Sequence, residues 1–182
     1  TEQFSRLAEK YGLQGKKVIE IGCGKGEFLS LWKNSGVQAY GLEHAETSVR
    51  HCLENGLSAF QGYLDASEFQ LPNGPFDAFA LLMFLEHMPD PNASLRGIHN
   101  NLVEDAVGLI EVPNFDMVVR NHLFSEFIAD HLMYFTRDTL QFTLQLNGFE
   151  ILECSELRDD YVLSAIVRKR KVNFVHYGLC VL

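Results

Sequence analysis

Apolar residues recur along this chain in two alternating rhythms. Phe4, Leu7, Ala8 and Tyr11 share one face at helical spacing, which predicts a helix over residues 2–13, stopped by Gly12 and Gly15. Lys17-Val18-Ile19-Glu20-Ile21 is a short β-branched run bounded by turn residues and predicts a buried strand. A helix over 26–35 carries Phe28, Leu29, Leu31 and Trp32, and Asn34-Ser35-Gly36 ends it. The alternation continues with strands over 37–42, 57–63, 76–83 and 107–112 and helices over 46–54 and 91–102. The run 76–83 is almost wholly apolar, as suits a central strand buried on both faces. Residues 114–135 show no clean period. A helix capped by Thr136 is expected over 136–146. Strands over 149–156 and 161–168 are joined by the turn Leu157-Arg158-Asp159-Asp160, too short for anything but an antiparallel pair.

Strands alternating with helices imply an α/β doubly wound sheet, here followed by an antiparallel hairpin. The 182 residues fit one domain, expected over residues 1–170. Residues 171–182 form a tail of unassigned role: a packed end, an added extension, or the start of another domain of a longer chain. No run of ~18 apolar residues predicts a membrane span. The net charge of −9 argues against a nucleic-acid partner, and the one dense basic cluster, Arg168-Lys169-Arg170-Lys171, reads as a solvated strand end. The four cysteines form no CxxC pair, and no histidine pair has zinc-ligand spacing, so no metal site is expected. Scattered thiols fit a reducing compartment, and a cytoplasmic location is expected.

The chemistry concentrates after the first strand, in Glu20-Ile21-Gly22-Cys23-Gly24-Lys25-Gly26. Ligands of such sheets bind at the carboxyl ends of the strands, where strand order reverses, and glycines let the backbone turn sharply beneath them. A dinucleotide fingerprint would place a third glycine where Glu27 stands, and a carboxylate there is unfavourable beside a pyrophosphate. This argues against a nicotinamide oxidoreductase. S-Adenosylmethionine carries positive charge and no phosphate, and an acidic loop suits it. Glu43 ends the second predicted strand, where an acid can accept hydrogen bonds from both ribose hydroxyls, with His44 beside it.

These features resemble the class I S-adenosylmethionine methyltransferases. The resemblance rests on the glycine loop, Glu43, the block from Phe76-Asp77-Ala78-Phe79 through Leu85-Glu86-His87-Met88-Pro89-Asp90-Pro91, and Gly148-Phe149, and spans roughly residues 15–170. It implies a Rossmann-like, seven-stranded mixed sheet with the last strand inserted antiparallel. It also implies that Glu20, Gly22, Cys23, Gly24 and Gly26 hold the methionine part of the cofactor. Glu43 and His44 would meet the ribose; Tyr63, Leu64 and Asp65 would face the adenine; Leu82, Met83 and Phe84 would approach the methyl donor. Tyr63 stands where many relatives have an acid. The product would be S-adenosylhomocysteine. Ile110-Glu111-Val112-Pro113-Asn114 and Asp130-His131-Leu132-Met133-Tyr134-Phe135-Thr136, with Leu140, are similar to the central domain of nucleotide-sugar C-methyltransferases and to related polysaccharide-biosynthesis enzymes, which have Glu where this chain has Asp130. The expected acceptor is accordingly a small molecule, with sugar or polysaccharide precursors among the candidates.

A hydroxyl or carbon acceptor needs a base for its proton. His131 is the first candidate, with Asp130 or Tyr134 nearby, and His87 the next; each could instead cap a helix or anchor a loop. Phe115, Phe124 and Phe127 could line an acceptor pocket or fill core. Asp77, at the start of its strand, is expected to be structural. The competing reading is a cofactor-binding module without catalysis inside a larger protein.

Overall fold

The computed structural model describes residues 2–64 and 70–171. Its elements run α1 (Glu2–Lys10), β1 (Lys17–Ile21), α2 (Glu27–Asn34), β2 (Gln38–Glu43), α3 (Glu46–Glu54), β3 (Ser58–Gln61), β4 (Phe76–Leu82), α4 (Pro91–Asn100), β5 (Leu102–Pro113), α5 (Phe115–Arg120), α6 (Arg137–Leu146), β6 (Phe149–Leu157) and β7 (Val162–Lys169). The strands form one seven-stranded sheet in the order β3-β2-β1-β4-β5-β7-β6. All pairings are parallel except β5 with β7 and β7 with β6. The expected doubly wound mixed sheet with an antiparallel closing strand is therefore present. The chain leaves β1 toward β2 and returns to β4 on the other side of β1. The switch point thus lies between the carboxyl ends of β1 and β4.

Alternation along the strands builds a core on each face. Ile19, Ile21, Phe79, Leu81 and Ile110 pack on one side with Leu95, Ile98, Leu140 and Leu144 of α4 and α6. Val18, Ala78, Ala80, Leu82 and Leu109 pack on the other with Phe4, Leu7 and Trp32 of α1 and α2. Burying each such large side chain stabilises the fold by about 1.5–3 kcal/mol. Gly108 on β5 has a packing role: a Cβ there would lie 2.1 Å from the Phe79 ring, which crosses that position.

Several boundaries differ from expectation. Helix α1 stops at Lys10, because Leu13 N–H donates to Ala8 O and Gly12 turns left-handed at φ +61. Strand β5 begins at Leu102, five residues early: Phe76 pairs with Leu102, and the polar Glu104-Asp105 stretch, with Asp105 at φ +61, interrupts the register. The aperiodic stretch 114–135 holds the short α5 and a 3-10 turn, Phe124–Glu126. Asn114, fully buried, starts α5 by accepting from Asp116 N–H, and its own amide donates to Asp160 O. Thr136 caps α6 as expected, in a reciprocal capping box with Thr139. The cluster Arg168–Lys171 is less solvated than expected: Lys169 is buried and donates to Leu102 O, and Arg170 pairs with Glu150. Asp77 accepts from Lys17 N–H, a structural role. Of the 171–182 tail, only Lys171 lies within the described residues.

Candidate active site

The glycine loop sits at the switch point. Gly22, Gly24 and Gly26 all have positive φ, at +74, +54 and +88, a conformation that strains any residue with a Cβ. Gly22 carries a second constraint. A Cβ there would lie 2.3 Å from the ring of Phe84, which follows β4 and covers the loop. Only about 10 Å³ of free space remains between the loop, Leu42, Glu43, His44, Gly62, Tyr63, Leu64 and that ring.

Glu20 lies on β1 one residue before the sheet edge, 2% exposed, and its Oε2 has no hydrogen-bond partner. Burial, with a smaller contribution from Glu27, pushes its pKa up to about 8. A buried unpaired carboxyl is costly, and a cation beside it would relieve that cost. Glu43, also buried, has both oxygens engaged. Oε2 accepts from Gly24 N–H at 3.0 Å and Oε1 from Ala45 N–H at 2.9 Å, with His44 Nδ1 2.9 Å from Oε1. The acid that ends β2 therefore braces the glycine loop. Oε2, with one partner, keeps a further lone pair for a ligand hydroxyl.

The remaining cofactor candidates divide. His44 is mostly exposed at the rim. Cys23 is buried, close enough to Gly41 that a Cβ there would lie 2.4 Å from its sulfur. Its thiol pKa is driven upward by burial, so it is packing rather than a nucleophile. Leu64 and Leu82 point into the two cores, so only their backbone reaches the site. Met83 takes a left-handed turn at φ +53 just past β4, its N–H donating to Glu111 O. Tyr63 is half-buried beside the cleft. Asp65 lies outside the described residues.

Across the same edge, the loop after β4 meets the segment after β5. Glu86 O accepts from both Leu132 N–H and Met133 N–H, at 2.9 and 3.1 Å, which brings His87 and His131 together with ring centroids 4.8 Å apart. His87 Nδ1 is 2.8 Å from Asp130 O; a carbonyl only accepts, so Nδ1 carries a proton, and in the neutral ring the lone pair is on Nε2. Desolvation, followed by the neighbouring His87, lowers the pKa of His131. Thr136 rather than His131 caps α6. Tyr134 packs against Phe115 and Phe127, both at 5.2 Å, and the group forms an aromatic wall beside His131. Phe124 is exposed and belongs to neither core.

Sequence reasoning passed over three residues here. Glu86 is 1% exposed with both carboxyl oxygens unpartnered, and burial pushes its pKa up to about 7. Its signal was a lone acid within the apolar stretch Leu82–Met88. Tyr161, at the start of β7, donates to Glu126 Oε2 at 2.5 Å, and that bond, more than burial, pushes its pKa up to about 12. Those two are 35 residues apart, and no local pattern pairs them.

Residues 1–154 match the family described as a methyltransferase domain. The chain belongs to the class I S-adenosylmethionine-dependent methyltransferases. The methyltransferase domain is 30% identical over 133 residues to the ubiquinone biosynthesis O-methyltransferase of Pseudomonas aeruginosa (strain LESB58), covering 70% of this chain and 56% of that relative. It thus spans little more than half the relative's length. Among solved structures, a S-adenosylmethionine-dependent methyltransferase from Mesorhizobium loti superposes with a TM-score of 0.72 at 16% identity, covering 90% of this chain and 96% of that one. The magnesium protoporphyrin IX methyltransferase from Synechocystis PCC 6803, solved with bound S-adenosylhomocysteine, gives 0.72 at 15% identity, covering 92% and 80%. At these identities the two structures share the fold of the methyltransferase domain. No helix among its described residues is long and apolar enough to cross a membrane.

Proposed function

We propose that this domain transfers a methyl group from S-adenosylmethionine to a hydroxyl of a small ring-shaped acceptor, a sugar or polysaccharide precursor being the first class to test. The observation that carries the reading is the buried carboxyl of Glu20, its Oε2 without a hydrogen-bond partner, beneath a left-handed glycine turn at the switch point. That donor set suits a cationic ligand without phosphate. Glu20 takes the ammonium group of the methionine part. The loop backbone from Gly22 to Gly26 lies along it, Glu43 accepts from the ribose through the spare lone pair of Oε2, and Tyr63 lies on the adenine side. Phe84 covers Gly22 and must turn aside to admit the ligand. When bound, S-adenosylmethionine supplies a methyl carbon already activated by a positively charged sulfur.

The chain's own contribution is alignment and proton removal. An acceptor ring lies with its apolar face on Phe115, Phe127 and Tyr134 and its hydroxyl toward His87 and His131. His131, with its lowered pKa, is neutral at pH 7 and takes the hydroxyl proton. The oxygen acceptor is favoured over carbon by the names of the relatives, which are O-methyltransferases.

Calorimetric titration with S-adenosylhomocysteine tests the reading, on the chain as it stands and on Glu43→Ala. Micromolar binding that weakens by tenfold or more in the variant is expected, and a screen of hydroxylated acceptors follows. A folded chain that binds neither S-adenosylmethionine nor its product overturns it. Binding without turnover on any acceptor would favour a non-catalytic module.

A further inference from the structure

The Glu86–His87–His131 cluster lies on the acceptor side of the site, and base catalysis alone does not use all of it. One ligand atom from each residue falls within 4.8 Å of the other two. His87 Nε2 is 4.0 Å from Glu86 Oε1. Atoms that share one ion at ~2.0–2.2 Å stand ~3–4 Å apart, so modest side-chain rotation would close the three on a common centre.

Two independent features point to a cation. Glu86 is all but fully buried and neither carboxyl oxygen has a hydrogen-bond partner, an arrangement that a cation would relieve. His87 has its Nδ1–H held by Asp130 O, which fixes the ring and turns its lone pair toward Glu86 and His131. Histidine ligands are commonly oriented by a carbonyl on the far nitrogen. The backbone bonds from Leu132 and Met133 to Glu86 O lock the two contributing segments together.

We propose that Glu86, His87 and His131 bind one divalent first-row metal ion of the zinc, iron(II) or manganese(II) kind. One carboxylate and two imidazoles match borderline ions better than magnesium or calcium, which prefer all-oxygen shells. Three protein ligands leave open positions on the ion. His87 and Phe84 have ring centroids 6.3 Å apart, so those positions lie near the ring that covers the glycine loop. This inference rests on the proposed methyl transfer to a hydroxyl and replaces its proton acceptor. An acceptor hydroxyl bound to the ion is acidified, its proton passes to solvent, and the electron pair of the O–H bond stays on oxygen. His131 is then a ligand rather than the proton acceptor.

The test is titration of zinc chloride into the chelator-stripped chain by calorimetry, on the unmodified chain, Glu86→Gln and His131→Gln, each with its melting temperature recorded. Expected are one equivalent bound at micromolar affinity or tighter, at least tenfold weakening in each variant, and S-adenosylhomocysteine affinity unchanged in His131→Gln. Absence of stoichiometric zinc uptake by the folded chain, or equal affinity in His131→Gln, overturns the site. Should Glu86→Gln fail to fold, the half-exposed His131 position decides alone. Product binding is measured in chelator as well, so loss of the cofactor reading and loss of the metal site are told apart.

Discussion

Glu20 makes the cofactor reading measurable in protons. Its folded pKa of about 8 leaves about nine-tenths of the carboxyls protonated at pH 7. A ligand ammonium placed against it favours the carboxylate and lowers that pKa, so binding should release close to one proton. Calorimetry with S-adenosylhomocysteine at pH 7, in buffers of different ionisation enthalpy, reads this release as the slope of observed enthalpy. The same shift governs the free protein. The carboxyl holds its proton in the folded state up to about pH 8 and in the unfolded state only to about 4.5. Its stabilisation is therefore complete below pH 4.5 and lost as pH rises toward 8. At 1.36 kcal/mol per unit the loss is at most about 5 kcal/mol. Glu20→Gln removes both effects. Its product affinity should fall at least tenfold, proton release should vanish, and its stability at pH 8 should exceed that of the unmodified chain. Tight binding with a buffer-independent enthalpy would refute the assignment of Glu20 to the ammonium.

Two further substitutions separate loop geometry from the acceptor wall. Gly22→Ala forces a Cβ into the Phe84 ring and a left-handed backbone, costing about 1–2 kcal/mol; thermal melts should show the loss, and calorimetry should find product binding abolished. Tyr161→Phe breaks the 2.5 Å bond to Glu126 and should cost about 1–3 kcal/mol in denaturant unfolding. Its effect on product affinity should be small, and an unchanged unfolding midpoint would show that the bond contributes nothing.

The sheet was legible because its signals are local. The run 76–83 is apolar enough to read as a central strand, and Thr136 marks a helix start that the structure keeps. The residues proposed to hold the cofactor could be named from the sequence because Glu20, the glycines and Glu43 lie within one strand–turn–helix–strand unit of 24 residues. The acceptor half of the site was not legible. Glu86 and His131 stand 45 positions apart, and the backbone bonds to Glu86 O, with the bond from His87 Nδ1 to Asp130 O, bring them together. Spacing rules for metal ligands describe loops and helix turns, so they cannot register a cluster assembled from two strand ends. The aperiodic stretch 114–135 hid its short helix because Asn114 satisfies its amide through Asp160, far along the chain.

Inverting β7 does more than close the sheet. A parallel last strand would have sent its approach to the opposite edge. Antiparallel insertion returns the β6–β7 turn to the edge where the cofactor cleft opens, and there Asp160 and Tyr161 hold Asn114 and Glu126. On the proposed function, the two recognition tasks divide by chain position. The first three strands would carry what must stay constant for the methyl donor, while the segments around β5 and the hairpin would carry what meets the acceptor. Changes in that second group would then retarget the domain to a new acceptor while its grip on the donor stays as it was.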